Sequence, residues 1–200
     1  MADPDLVRNP ARLGEALAAD AYVRSRLHPR RRQGDYLILR DILTLLGPFA
    51  GDVRGRLFDF GSGGAPYRAL FTGVTDYVRA DVTPGPLVDR LLGPDGRTGE
   101  PDASYDAVLS TQVLEHVADP ALYLAECRRM LRPDGRLLLT THGMFEEHGC
   151  PYDFTRWTGR GLARLVQAAG LEVVRARKLC TRFRAAIQLE HYLVASLRLP

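Results

Sequence analysis

Hydrophobic and polar residues follow each other along the chain in blocks that predict helices and strands in turn. Apolar positions at helical spacing predict helices over residues 11–27 and 34–46, the second ending at Gly47-Pro48. Short apolar runs predict strands over residues 57–60, 77–81, 86–92, 105–111, 136–141 and 171–175. Helices are predicted over residues 66–71, 120–131 and 158–169, and residues 183–199 again have a helical pattern.

Strands that alternate with helices indicate right-handed βαβ units. We therefore predict an α/β fold with a doubly wound, mostly parallel sheet and helices on both of its faces. In such sheets, ligands bind beyond the carboxyl ends of the strands, where the strand order reverses. The loops that follow the strands are consequently the place to look for chemistry.

The loop after the first strand is rich in glycine and narrows the choice of ligand. The strand 57–60 runs into Gly61-Ser-Gly-Gly64, and Pro66 suits the first turn of a helix. Pro66 stands where a dinucleotide fingerprint needs its third glycine, and no Gly-Lys-Ser/Thr follows for a P-loop. Asp59 precedes the glycines and Asp81 ends the next strand, where an acid can accept both ribose hydroxyls. This pattern favours an unphosphorylated adenosine that carries an amino-acid tail.

Composition and charge exclude several other classes of protein. Of the 200 residues, 46% are hydrophobic and 26% charged, as is typical of globular proteins, and the net charge of +3 is too small to indicate nucleic-acid binding. No apolar run reaches the roughly 18 residues of a membrane span, and the acidic N-terminus does not resemble a signal peptide. We predict a cytoplasmic protein with no nucleic-acid or membrane partner.

Several segments, in this order, resemble class I S-adenosylmethionine-dependent methyltransferases of the small-molecule type. They are Asp59-Phe-Gly-Ser-Gly63, Asp81, Tyr105-Asp-Ala-Val-Leu-Ser-Thr-Gln-Val-Leu-Glu-His116, Met130-Leu-Arg-Pro-Asp-Gly-Arg136 and Pro151-Tyr-Asp-Phe-Thr-Arg-Trp-Thr158. The resemblance implies a Rossmann-like fold with S-adenosylmethionine as the cofactor. It also implies a final antiparallel strand, which is not evident before Pro200, so the sheet is expected to be one strand short or the chain a shortened version.

The same resemblance implies roles for individual cofactor-binding residues. Gly61 and Gly63 would pack under the methionine portion, with Asp59 near its amino group. Asp81 would hold the ribose hydroxyls, and Gln112 would lie beside the cofactor.

The resemblance leaves the adenine contact open between Asp89 and Asp95. We expect residues 51–200 to form the S-adenosylmethionine-binding domain, and residues 1–50 to add helices that cover the cofactor site within the same compact unit.

The segment from His142 to Trp157 has no regular period and is interpreted as a loop that faces the methyl acceptor. Its histidines, His148 and His142, are the candidate catalytic bases because their ordinary pKa lies near neutrality, and Asp153 is placed to orient one of them. No tight ligand spacing such as HxxxH is present and the three cysteines are scattered, so we predict no metal and no disulfide framework. Glu115-His116 is interpreted as part of the scaffold, with catalysis as its alternative.

We therefore predict an enzyme that moves a methyl group from S-adenosylmethionine to an O or N atom of a small metabolite. The alternative is a non-catalytic binding or assembly protein with the same fold, since the apolar pattern of residues 187–197 allows contact with a partner or a homodimer. Methylation of RNA or protein is a third hypothesis, which the mild charge and the lack of an Asn-Pro-Pro-Tyr motif disfavour.

Overall fold

A computed structural model describes residues 20–93, 96–149 and 151–178. Residues 20–27 are helical and precede the first complete helix. The helices are α1 (Tyr36–Asp52), α2 (Pro120–Met130) and α3 (Gly159–Ala168), with short 3-10 turns at Arg68–Leu70 and Leu114–His116. The strands are β1 (Gly55–Phe60), β2 (Val74–Asp81), β3 (Arg90–Leu91), β4 (Tyr105–Thr111) and β5 (Leu131–Thr140).

The five strands form one parallel sheet in the order β3-β2-β1-β4-β5. The order reverses between β1 and β4, which pair through Leu57 with Ala107 and Phe58 with Val108. The predicted doubly wound, mostly parallel α/β fold is therefore confirmed. Its switch point is the gap beyond the carboxyl ends of β1 and β4.

Each face of the sheet carries its own hydrophobic core because side chains alternate along a strand. On one face, Leu57 and Leu109 pack with Ile42 and Leu46 of α1. On the other, Phe58 and Val108 belong to a core that includes residues of α2, and α3 packs against its edge. Helices thus cover both faces, as the alternating pattern predicts. Among the described helices, none has the length and apolarity needed to cross a bilayer.

Helix α1 continues past the point where the sequence predicts its end. Pro48 lies inside the helix, which runs on to Asp52. Proline at that position removes one backbone donor and disfavours a helix. The apolar face nevertheless extends through Leu46, Ala50 and Val53, all buried against the sheet. Burial of this face keeps the chain helical, so the prediction of a stop at Gly47-Pro48 is wrong.

Other predicted elements differ in extent. The third strand shrinks to Arg90–Leu91, and the helix predicted over residues 66–71 is only the 3-10 turn Arg68–Leu70. The predicted strand over residues 171–175 is wrong, since residues 171–178 have no regular secondary structure, although Leu171 still packs against the core. The helical pattern of residues 183–199 lies outside the described residues, as does the start of the helix predicted over residues 11–27.

Candidate active site

A cavity of about 490 Å³ opens beyond the carboxyl ends of the strands, at the switch point. The sequence-predicted residues that line it are Gly61, Gly63, Asp81, Gln112, His142 and His148. The residues from the N-terminal helical region that line it are Tyr22, Arg26, Asp35, Ile38, Leu39 and Ile42. Loops after β1, β2, β4 and β5 therefore share one space with the N-terminal helices.

The glycine turn after β1 needs glycine for steric reasons. Gly61 has φ +78°, and the N–H groups of Gly61 and Ser62 donate to the carbonyl oxygen of Ala80 at 2.8 and 2.9 Å. A Cβ on Gly61 would lie 2.5 Å from a methyl group of Val113, in the loop after β4. The turn is consequently clamped between β2 and the β4 loop, with its backbone facing the cavity.

Asp81 at the end of β2 fastens the same turn. Its Oδ2 accepts a hydrogen bond from the N–H of Gly63 at 2.8 Å, and its Oδ1 accepts from the N–H of Thr83 at 2.9 Å. Each carboxylate oxygen can accept more than one hydrogen bond, so both retain capacity for hydroxyl donors of a ligand. The residue predicted to hold a ribose therefore also positions the glycine turn.

Asp59 does not line the cavity. Its side chain is 3% exposed and accepts a 2.7 Å hydrogen bond from the hydroxyl of Tyr77. Burial raises the pKa of Asp59 to about 7. The hydrogen bond from Tyr77 lowers this pKa because it favours the ionised carboxylate, and the negative charge of Asp81 raises it. Burial, with the nearby Asp59, also raises the pKa of Tyr77. The predicted place of Asp59 near a ligand's amino group stays a prediction.

Gln112 lies just past β4 in a conformation that L residues rarely adopt, with φ +57°. Its N–H donates to the carbonyl of Thr140 at 2.9 Å and its Nε2 to the hydroxyl of the same residue at 2.9 Å. Within the described part of the chain, the buried Gln112 Oε1 and Ser62 Oγ have no hydrogen-bond partner. Strain and unsatisfied polar atoms at a cavity are typical of a ligand site.

His142 and His148 come together with Glu115 at the far end of the cavity. His142 Nε2 lies 3.3 Å from Glu115 Oε1, and Glu115 Oε2 accepts a 2.7 Å hydrogen bond from the hydroxyl of Thr141. The ring of His142 stacks on Phe145 with centroids 4.1 Å apart. Burial, with a smaller contribution from electrostatic interaction with His148 and the Arg156 guanidinium, lowers the pKa of His142 to about 3, so this imidazole is neutral near pH 7.

An ion pair within the loop holds His148. The side chain of Asp153 accepts from the N–H of His148 at 2.8 Å and from both terminal nitrogens of Arg156 at 2.6 Å. The Arg156 guanidinium holds the pKa of Asp153 well below its usual range. His148 Nδ1 lies 3.4 Å from Asp153 Oδ2. That Asp153 orients this imidazole stays a prediction.

The two candidate residues for the adenine contact do not appear in the cavity wall among the described residues. Asp89, a candidate for the adenine contact, does not line the cavity and pairs with Arg79 through both oxygens, which lowers the pKa of Asp89 to about 2. Asp95, the other candidate, lies outside the described residues.

The sequence did not predict a role for Arg26 and Asp35, which form a 2.8 Å salt bridge in the cavity wall. Their spacing of nine residues, across a helix end, gives no sequence signal for this contact.

A sequence model of the methyltransferase domain family matches residues 30–176. The chain belongs to this family. The methyltransferase domain is 33% identical over 103 residues to a protein of Mycolicibacterium smegmatis named "Probable S-adenosylmethionine-dependent methyltransferase", which covers 48% of this chain and 37% of that protein. It is also 33% identical over 88 residues to a ubiquinone biosynthesis O-methyltransferase of Dinoroseobacter shibae, covering 35% of each chain. The chain thus spans little more than a third of the length of these curated relatives.

Solved structures share the fold of the methyltransferase domain. The [4+2]-cyclase SpnF superposes with a TM-score of 0.62 at 21% identity, covering 85% of this chain and 71% of that one. A Burkholderia thailandensis 1,6-didemethyltoxoflavin-N1-methyltransferase, solved with S-adenosylhomocysteine, superposes with a TM-score of 0.51 at 21% identity, covering 84% and 80%. At such identities the likeness shows the fold, and the resemblance to class I methyltransferases is confirmed.

Proposed function

We propose that this chain binds S-adenosylmethionine in the cavity at the switch point and transfers its methyl group to an O or N atom of a small metabolite. The observation that carries the proposal is the convergence of Gly61, Gly63, Asp81 and Gln112 on one cavity in a chain of the methyltransferase domain family. Gln112 and Ser62 also line this cavity, and each carries a buried oxygen without a hydrogen-bond partner among the described residues.

The residues present suit the parts of this cofactor. Gly61 and Gly63 line the cavity, so their backbone would lie against the methionine portion. Asp81 offers two carboxylate oxygens to a pair of ribose hydroxyls. Asp59 lies behind the turn, so we propose that it acts on an amino group through the field of its charge rather than by contact.

When bound, S-adenosylmethionine supplies an electrophilic methyl group on a sulfonium. In-line displacement at that carbon depends chiefly on how the protein positions the acceptor. Phe145 and the imidazole of His148 face the cavity from the loop after β5 and would form that wall. His142, with its lowered pKa, is a weak proton acceptor near pH 7, which makes His148 the better candidate base for an acceptor that must lose a proton.

Cofactor binding is tested by calorimetry of the full chain with S-adenosylhomocysteine. We expect Asp81→Asn to weaken binding by about 10- to 100-fold, because hydrogen bonds to a charged group contribute about 1.5–3 kcal/mol each. Asp76→Asn is the matched control, since Asp76 lies on the same strand but pairs with Arg56 outside the cavity. No measurable heat with the unmodified chain, or equal affinity in both variants, would contradict the assignment.

Methyl transfer itself needs a second experiment, because a fold neighbour is named as a [4+2]-cyclase. Incubation with S-adenosylmethionine labelled in its methyl group and separate pools of small metabolites, RNA and protein identifies the acceptor class. We expect label in the small-metabolite pool. Label in RNA or protein would refute the substrate class, and cofactor binding without any transfer would favour the non-catalytic alternative.

A further inference from the structure

We propose that Glu115, His142 and His148 bind one divalent transition-metal ion at the edge of the cofactor cavity. One donor atom from each residue lies within 4.8 Å of the other two. Metal–ligand bonds of about 2.0–2.2 Å place the donors of one ion roughly 3–3.5 Å apart, so small side-chain rotations would close the site. The cluster is assembled by the 3-10 turn after β4 and the loop after β5, far apart in sequence but adjacent at the sheet edge.

The buried carboxylate of Glu115 supports a cation here. Glu115 is 0% exposed, and its Oε1, unlike Oε2, has no hydrogen-bond partner among the described residues. The 3.3 Å approach of His142 Nε2 to this oxygen does not have hydrogen-bond geometry. A buried carboxylate oxygen without a partner is costly, and a metal ion between Glu115 and His142 would satisfy it.

The surroundings of His148 are those of a metal ligand. A metal-bound histidine usually donates its other ring N–H to a carbonyl or carboxylate. Nδ1 of His148 lies 3.2 Å from the carbonyl of Glu146 and 3.4 Å from Asp153 Oδ2, which leaves Nε2 for an ion. Arg156 Nη2 is also 3.3 Å from Nδ1, but it already donates to both of those oxygens, at 2.7 and 2.6 Å.

The donor set indicates which metal. Two imidazoles and one carboxylate suit zinc and its first-row neighbours, whereas calcium and magnesium prefer oxygen alone. Three protein ligands leave at least one position open, and His142 and His148 both line the cavity, so that position faces it. An ion bound here would take the imidazole lone pairs and so replace proton acceptance by these histidines.

The experiment measures Zn²⁺ binding to the full, metal-free chain by calorimetry and by metal analysis after dialysis. We expect about one tightly bound Zn²⁺ per chain, and Co²⁺ in its place with a visible spectrum of low coordination number. His148→Ala and Glu115→Gln should each weaken binding at least tenfold. Asp153→Asn should weaken it by about tenfold, because Asp153 Oδ2 lies 3.4 Å from His148 Nδ1 and helps to orient the ring. His28→Ala, an exposed histidine that does not line the cavity, is the matched control and should bind like the unmodified chain.

Cysteines are tested separately, since a thiolate also binds zinc. The titration is repeated with Cys150→Ser and Cys180→Ser together, which should leave the affinity unchanged. Absence of stoichiometric Zn²⁺ from a folded chain, equal affinity in His148→Ala and His28→Ala, or loss of binding in the serine variant would each overturn the proposal. None of these results bears on S-adenosylhomocysteine binding, which is measured without metal, so this proposal and the proposed function fail independently.

Discussion

The buried carboxyl group of Asp59 makes the stability of the chain depend on pH in a direction that can be tested. Its pKa is about 7 in the folded chain, against an ordinary value of 3.8. Between these values the folded chain holds a proton that the unfolded chain has lost, so stability falls as the pH rises through this window. A shift of this size lowers the unfolding free energy by roughly 4 kcal/mol in total, and the full loss is reached above pH 7.

Asp59→Asn removes this dependence with little change in shape. The amide oxygen can still accept the hydroxyl of Tyr77, now 2.7 Å from the carboxylate, and no charge has to be buried. The unfolding free energy of the variant minus that of the natural chain should therefore rise by about 2–3 kcal/mol as the pH is raised from 5 to 8. Other titrating groups, such as His142, are present in both chains and cancel in the difference.

The assay is urea unfolding of both chains without cofactor, at half-unit steps from pH 5 to pH 8. The quantity of interest is the difference in unfolding free energy at each pH. Two curves that stay parallel would show that Asp59 is already ionised in the folded chain at pH 5. The reasoning from burial would then be refuted, and a hydrated or ion-paired Asp59 would have to replace it.

Two further predictions concern the glycine turn and the acid behind it. Gly61→Ala should lose about 1–3 kcal/mol more unfolding free energy than Gly170→Ala. Both glycines have φ +78°, but a Cβ on Gly61 would lie 2.5 Å from Val113, whereas a Cβ on Gly170 would meet no described atom within 4 Å. Urea unfolding measures the two losses, and equal losses would show that Val113 moves aside. If the ammonium group of S-adenosylhomocysteine favours the ionised form of Asp59, binding at pH 6.5 should release a proton, since Asp59 is largely protonated beforehand. Calorimetry in buffers of different ionisation enthalpy detects this proton. The same release from Asp59→Asn would show that the proton comes from another group.

The sequence predicts the central strands because their physical signal is local. Strand β4, Tyr105–Thr111, has the bounds that its apolar run predicts, since the strand is buried on both faces. The helix predicted over residues 158–169 is likewise observed as Gly159–Ala168, with Thr158 capping it through the N–H of Gly161. Where local preference opposes tertiary burial, as at Pro48 in α1, the local rule fails.

The candidate site is harder to predict because its contacts join distant parts of the chain. The spacing of Asp59, the glycines and Asp81 follows from a βαβ unit, so that part of the site is visible in the sequence. Glu115 and His142 stand 27 positions apart, a spacing that carries no such rule, and only the pairing of β4 with β5 brings them together. The left-handed backbone of Gln112 has no sequence signal either, since glutamine is not the residue that this conformation favours.

In the part of the chain that the structure describes, buried polar atoms without hydrogen-bond partners lie beyond the carboxyl end of the sheet. Ser62 Oγ, Gln112 Oε1 and Glu115 Oε1 are buried polar atoms without hydrogen-bond partners among the described residues, and each follows the carboxyl end of a strand. Asp81 meanwhile fixes the glycine turn through the N–H of Gly63 before any ligand arrives. A backbone that is held in place beside polar atoms that lack partners is arranged to gain stability when a ligand binds. The two proposed ligands differ accordingly: the cofactor would lie against Ser62 and Gln112, which line the cavity, whereas a metal ion would satisfy the buried carboxylate of Glu115.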